Sequence, residues 1–236
     1  MKLSLIVPMY NEISIIENTA KEYYAYLSGH FPEFELIFVD DGSVDGCGAA
    51  VEELSLSNTR VIRYTPNQGK GNAVKTGMLA ASGDIAMFLD ADLAYGTDVI
   101  ARAAALFDEH PEAGMVIGSR PMHPEGYAGY TALRKLASKA YIKVLNIAGG
   151  LRLSDSQCGC KAYRGQAAHE IFSRVETKGF AFDFETILWA QKLGYPIVEM
   201  PVKIVNHRES KVHVLLDAFR MLGELRSIKK RVGKGA

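Results

Sequence analysis

Short apolar runs alternate along this chain with longer stretches whose apolar residues recur at helical spacing. The runs Leu3 to Val7, 34–41 (FELIFVDD), 59–65 (TRVIRYT), Ile85 to Leu89 and 113–118 (AGMVIG) predict strands. Between them Ile13 to Leu27, a stretch ending near Leu56, 71–81 and roughly 97–109 predict helices. Strands of near-continuous apolar character need cover on both faces. The pattern therefore predicts an α/β fold, a mostly parallel central sheet with helices on both sides. After Arg120 the rhythm changes. Residues 121–129 (PMHPEGYAG) form a Pro/Gly-rich break, 130–148 an apolar-leaning helix, 158–164 (CGCKAYR) a strand, 182–194 a helix and 196–204 a last strand. No repeat, low-complexity tract or linker interrupts this. One domain over 1–210 and a helical extension over 211–236 are expected.

Three predicted strands end in polar clusters: Pro8-Met9-Tyr10-Asn11-Glu12, Asp40-Asp41-Gly42-Ser43 and Asp90-Ala91-Asp92. Ligands of such sheets bind beyond the carboxyl ends of the strands, so the three clusters should converge on one rim. Asp90 and Asp92 flank a single alanine, and carboxylates that close repel unless a proton or cation intervenes. Their hard oxygens suit Mg²⁺ or Mn²⁺, which completes its shell with water and phosphate oxygens. The alternative is that they cap the following helix. Asp40 or Asp41 can accept hydrogen bonds from a base imino group or ribose hydroxyls, or can simply close the strand-to-helix turn. In 67–72 (NQGKGN), glycines permit close backbone approach, Lys70 supplies a charge, and a helix N-terminus follows that favours anions. A plain Gly-rich turn fits equally, and the GxxxxGK[ST] spacing of a P-loop is absent.

Composition narrows the classes. The 236 residues are 48% hydrophobic and 23% charged, with zero formal net charge, so no global field points to nucleic acid. Cys47, Cys158 and Cys160 are odd in number and lack CxxC spacing, which argues against a disulfide framework and for a reducing compartment. The N-terminal apolar stretch is too short for a signal sequence. No run of 18 apolar residues exists, so a soluble or peripheral protein is expected.

The segments IVPMYNE, VDDGSVDG, NQGKGNAVKTGML and LDADLA, in this order and spacing, resemble family 2 glycosyltransferases of the GT-A fold. The resemblance continues through GSR (118–120), DSQCGCKAYR (155–164) and FAFDFE (180–185), and so spans nearly the whole chain. Within the family it is similar to the polyprenyl-phosphate sugar synthases. The Gly-Lys-Gly and Gln-Cys-Gly segments resemble the dolichyl-phosphate glucosyltransferases more than the mannose synthases. The resemblance implies that Pro8, Tyr10, Glu12 and Asp40 or Asp41 hold the nucleoside and that Lys70 lies near the diphosphate or base. It implies that Asp90 holds sugar and ribose and that Asp92 ligates Mg²⁺ or Mn²⁺. Ala94 departs from the pattern, because mannose synthases commonly place a glutamine there as a second metal ligand.

The implied reaction is one displacement at the anomeric carbon, with inversion and a nucleoside diphosphate leaving. A hydroxyl acceptor needs a base, for which Asp183 and Glu185 are candidates. A lipid monophosphate is already anionic near pH 7 and needs cations instead. Arg120 and Arg134 are candidates by position in the resemblance and by guanidinium–phosphate chemistry, with Arg208 and Lys211 behind them; Asp183 and Glu185 would then orient arginines or sugar. In the extension, Val212, Leu215, Leu216, Phe219, Leu222 and Leu225 recur at helical spacing before the basic end RSIKKRVGKGA. This fits either an amphipathic helix on an anionic membrane surface or a helix packed on its own domain. The expectation is glucose transfer from UDP-glucose to a polyprenyl phosphate at the cytosolic face of a membrane. Rival readings are GDP-mannose as donor, a saccharide hydroxyl as acceptor, and a non-catalytic sugar-nucleotide-binding protein. A sugar-phosphate nucleotidyltransferase would want a basic Gly-rich loop after the first strand, which PMYNE lacks.

Overall fold

Alternation within each strand decides the layers. In the computed structural model, Leu3, Leu5 and Val7 of β1 (Leu3–Met9) enter one core while Ile6 enters the other. Leu36 and Phe38 of β2 (Phe34–Asp41) oppose Ile37 and Val39 in the same way, as do Met87 and Phe88 of β4 (Ile85–Leu89). Both faces are apolar, so both need helices. The structure describes residues 1–206 and 214–234, with side chains except at 133, 134, 137, 141 and 214–222.

On one face lie α1 (Ile16–His30), α2 (Cys47–Glu53) and α4 (Asp98–Glu109). On the other lie α3 (Lys70–Ala80), α6 (Gly165–Phe172) and α7 (Phe182–Lys192), with Leu145 of α5 (Ala132–Gly149) and the end of α8 (Val214–Lys234). With β3 (Thr59–Tyr64), β5 (Met115–Ser119), β6 (Cys160–Arg164) and β7 (Ile197–Pro201), the sheet order is β3-β2-β1-β4-β6-β5-β7. Only β6 runs against its neighbours, β4 and β5. The mostly parallel sheet covered on both sides is the one expected.

Details differ from the sequence reading. Helix α1 starts three residues later than expected, because the N–H groups of Ile15 and Ile16 first close a turn onto the Glu12 carbonyl, both at 3.0 Å. Helix α6 was not anticipated, although Ala167, Ala168, Ile171 and Phe172 line one buried face; at eight residues it is short enough to pass for a turn between the strand before it and the helix after it. In the extension the structure bears on two open alternatives. Leu225, Ile228 and Val232 are buried in the core beneath α7, and Lys192 Nζ donates to the Val232 carbonyl at 2.5 Å. Of the two alternatives, packing on the domain holds for this part of α8. Lys211 and Val212 lie outside the described residues, as do the side chains of Leu215, Leu216, Phe219 and Leu222.

Candidate active site

Strand β1 pairs with β2 on one side and β4 on the other, so the strand order reverses there. That reversal opens a crevice at the carboxyl ends. Carrying the Ile6–Phe88 register two residues on brings Pro8 level with Asp90. Carrying the antiparallel Leu89–Cys160 register one residue on brings Asp90 level with Gly159. A Cβ at 159 would collide with the Asp90 carboxylate, and its Cγ would stand only 3.0 Å away. Glycine is what lets that carboxylate turn inward. There Asp90 Oδ1 lies 2.5 Å from Lys70 Nζ, the two side chains being 30% and 24% exposed.

Asp92 follows one residue past Ala91. Its Oδ1 accepts the Ala94 N–H at 3.0 Å, and its backbone carbonyl accepts Asn206 Nδ2 at 2.6 Å. Helix α4 begins only at Asp98, behind Thr97, so neither aspartate caps it. The helix-cap alternative falls. Burial, and then the neighbouring Asp90 charge, raise the Asp92 carboxyl above its ordinary pKa. Burial pulls the Lys70 ammonium down, but Asp90, Asp183 and Asp92 together hold it above its ordinary value. The rim thus concentrates negative charge with one lysine set into it.

The other two clusters do reach this rim, yet much of their polar capacity is spent locally. Asp41 accepts Gln68 N–H and Gly69 N–H at 2.8 Å each, and Asn67 Nδ2 at 2.9 Å. Asp40 accepts the Ser43 N–H at 2.8 Å. Both are buried, so the turn-closing alternative describes their contacts. Tyr10 is 44% exposed just beyond β1. The N-terminus of α3 is not an open anion site: Gly71 and Asn72 donate to the Lys178 carbonyl at 2.7 and 3.3 Å. The backbone that approaches Gly69 and Gly71 is the segment 177–179, where a Cβ on either glycine would strike a carbonyl.

Arg120, just after β5, is enclosed. Its Nε and Nη2 donate to the two oxygens of Asp155 at 2.6 and 2.9 Å, and Nη1 donates to Tyr130 Oη at 3.1 Å. Burial opposes its charge, but Asp155 holds the guanidinium protonated well beyond its ordinary range. Among the described residues three of its five N–H donors find acceptors. Beside it, Pro121, Met122, His123, Pro124, Tyr127 and Lys139 line a cavity of about 410 Å³ between this loop and α5. A second cavity of about 220 Å³ continues past Lys143 to Ser154.

Asp183 and Glu185 were expected as base or orienting groups, and their contacts separate them. Asp183 Oδ1 accepts Lys161 Nζ at 2.5 Å; burial raises its pKa despite Lys161 and Lys70 nearby. Glu185 does not join the rim. Its Oε2 accepts the N–H groups of Glu176 and Thr177, and its Oε1 accepts Arg231 Nη1 at 2.7 Å, with no surface exposed. Glu185 is thus engaged on both oxygens, whereas Asp183 is engaged by Lys161 through Oδ1. Arg134 is described by its backbone alone, in the first turn of α5, and Arg208 and Lys211 lie outside the described residues.

Residues 4–172 match the sequence model of Glycosyl transferase family 2. The chain belongs to this family. It is 29% identical to a dolichyl-phosphate beta-glucosyltransferase of Dictyostelium discoideum, over 97% of this chain and 74% of that one. It is 30% identical to the undecaprenyl-phosphate mannosyltransferase of Micrococcus luteus, over 90% of this chain and 88% of that one. Among solved structures, glucosyl-3-phosphoglycerate synthase from Mycobacterium tuberculosis, in complex with Mn²⁺, UDP and phosphoglyceric acid, superposes with a TM-score of 0.73. The match covers 98% of this chain and 78% of that one at 20% identity, and shows a shared GT-A fold. For a family 2 chain, the rim brings together Pro8, Lys70, Asp90 and Asp92, with the charge of Asp183 acting on Lys70. Sequence reasoning missed Lys161, Asp155 and Gly159. A lysine in a strand reads as surface and Asp155 lies 35 residues from Arg120, whereas the Gly between two cysteines at a strand start was a usable signal of close approach.

Proposed function

We propose that this protein transfers a hexose, glucose from UDP-glucose, to a polyprenyl phosphate with inversion, at the cytosolic face of a membrane. The observation that carries this reading is the Asp90–Lys70 contact beside Asp92, at the sheet's switch point, with neither aspartate used as a helix cap. The names of the relatives, lipid-phosphate glucosyl- and mannosyltransferases, support the acceptor class. A hydroxyl acceptor needs a free base; Glu185 is engaged on both oxygens, which leaves Asp183 as the candidate for that alternative. A phosphate monoester brings its own negative charge.

In this mechanism Asp90 orients sugar hydroxyls, and Lys70 counters charge on the departing diphosphate while keeping Asp90 turned inward. Arg120, clamped by Asp155, turns its guanidinium edge to the incoming phosphate. Asp92 fits a divalent cation: it is a hard oxygen donor whose charge is raised in energy by burial and by Asp90. Among the described residues no group of three or more acidic, His or Cys side chains is placed to hold a metal ion, so water and donor oxygens would complete the shell. Bound Mg²⁺ or Mn²⁺ would supply electrostatic stabilisation of the leaving diphosphate.

No described helix is long and apolar enough to cross a membrane. The element suited to lying on one is α5 rather than the end of α8. Ile142 and Leu145 are buried, while Leu136, Val144 and Ile147 are 66, 42 and 74% exposed and share one stripe with Ala140. Lys135, Lys139 and Lys143 run beside that stripe, an arrangement that suits anionic headgroups. The test is turnover by the purified chain with Mg²⁺ or Mn²⁺, polyprenyl phosphate and labelled UDP-glucose or GDP-mannose. Labelled glucolipid is expected. Mannolipid alone would move the donor to GDP-mannose, the reading the Micrococcus relative favours, and label only on a soluble saccharide would overturn the acceptor.

A further inference from the structure

Lys70 is held in place by a series of contacts that begins on α8, far along the chain. Arg231 Nη1 donates to Glu185 Oε1 at 2.7 Å, and its Nε lies 3.0 Å from Glu176 Oε2. The other oxygen of Glu185 accepts the N–H groups of Glu176 and Thr177 at 3.2 and 2.8 Å. The next carbonyl, that of Lys178, receives Gly71 and Asn72 at the start of α3. Two side chains tie the same segment to α3 and the loop before it: Lys75 Nζ donates to the Val175 carbonyl at 2.6 Å, and Lys178 Nζ to Gln68 Oε1 at 3.0 Å. Gly69 and Gly71 let the two backbones touch with no side chain between them. Lys70 is the first residue of that helix, and its ammonium sits on Asp90.

We infer that Arg231 is a positioning residue of the donor site: by pairing with Glu185 it holds the segment 176–178 that seats Lys70 against Asp90. The inference rests on the donor-site reading of Lys70 and Asp90 given above. Its physics is that of a buried charge. The Glu185 side chain has no exposed surface, so without Arg231 its carboxylate must find water or a proton. A charged carboxylate drawn toward water turns away from the two N–H groups, and the segment loses its anchor. The C-terminal helix is then part of the donor site rather than a separate appendage.

The test is calorimetric binding of UDP and GDP with Mn²⁺ to the full chain, alongside donor and acceptor KM. Arg231→Gln is expected to weaken UDP binding about tenfold and raise donor KM to match, with acceptor KM unchanged. Adding Glu185→Gln removes the unpaired charge while keeping a carbonyl acceptor, and should restore most of the affinity. In a Lys70→Met background, Arg231→Gln should cost no more than about twofold, because both changes act on one contact. An unchanged UDP affinity beside a lowered thermal midpoint would reduce Arg231 to packing and overturn the inference. Losses that multiply in the Lys70→Met background would overturn it too. If Arg231→Gln fails to fold, Arg231→Lys carries the comparison: it keeps the charge but loses the fork to Glu176, so about a threefold loss is expected and none would refute. A wild-type chain that binds neither nucleotide would instead sink the donor-site reading.

Discussion

Gly159→Ala tests the site at its tightest point. The added methyl would overlap the Asp90 carboxylate, whereas ordinary contacts begin at 3.4 Å, so the carboxylate must retreat by about 1 Å. Backbone strain does not enter, since Gly159 has no left-handed φ. The retreat can only lengthen or tilt the 2.5 Å contact between Asp90 and Lys70. Overpacking of this kind costs about 1–3 kcal/mol of stability, which a chain of this size should survive folded. On the proposed role of Asp90 in orienting the sugar, a displacement of about 1 Å costs on the order of a hundredfold in rate. The expected result is a kcat/KM for glucolipid formation about two orders of magnitude down, with circular dichroism unchanged and a thermal midpoint a few degrees lower. Kinetics with donor and lipid phosphate varied separately decide where the loss falls, and it should fall on the donor side. A variant with near-normal kcat/KM would mean that the inward position of Asp90 has no part in the reaction.

Two further outcomes follow from charge and exposure. Because the folded-state pKa of Asp92 is raised from 3.8, the folded protein binds more protons than the unfolded chain between 3.8 and the raised value. Stability therefore falls as pH rises through that window and stays lowered above it. Asp92→Asn should accordingly melt higher than wild type at pH 7, with the gap closing toward pH 3.5, and added Mn²⁺ should raise the wild-type midpoint alone; a gap that does not vary with pH refutes this. On α5, replacing Leu136, Val144 and Ile147 by serine removes three exposed apolar side chains. Even partial insertion of these is worth about 2 kcal/mol, so binding to vesicles containing anionic lipid should weaken about thirtyfold. Equal binding by wild type and variant would take α5 off the membrane.

The local physics of this fold is readable in one dimension, and its long-range pairings are not. Apolar runs such as FELIF and IAMFL announce strands buried on both faces, and each gives way to carboxylates at its carboxyl end: Asp40 and Asp41 as the last residues of β2, Asp90 and Asp92 just past β4. What periodicity cannot carry is the identity of a partner. Arg120 reads as a phosphate-binding cation and Arg231 as part of a basic end, yet each, like Lys161, is matched to an acid distant in the chain: Asp155, Glu185 and Asp183. The same blindness made the apolar stripe of the C-terminal helix ambiguous, since a helix face wanting lipid and one wanting α7 look alike in sequence. These pairings share a direction. Asp155 turns Arg120, Asp183 lies between Lys161 and Lys70, and Arg231 with Glu185 holds the start of α3. The residues that read plainly in the sequence form the rim, and the hidden ion pairs beneath set how it points. Substitutions at Asp155 or Lys161 should therefore alter kinetics while leaving every rim residue in the sequence intact, which is how geometry rather than composition would declare itself.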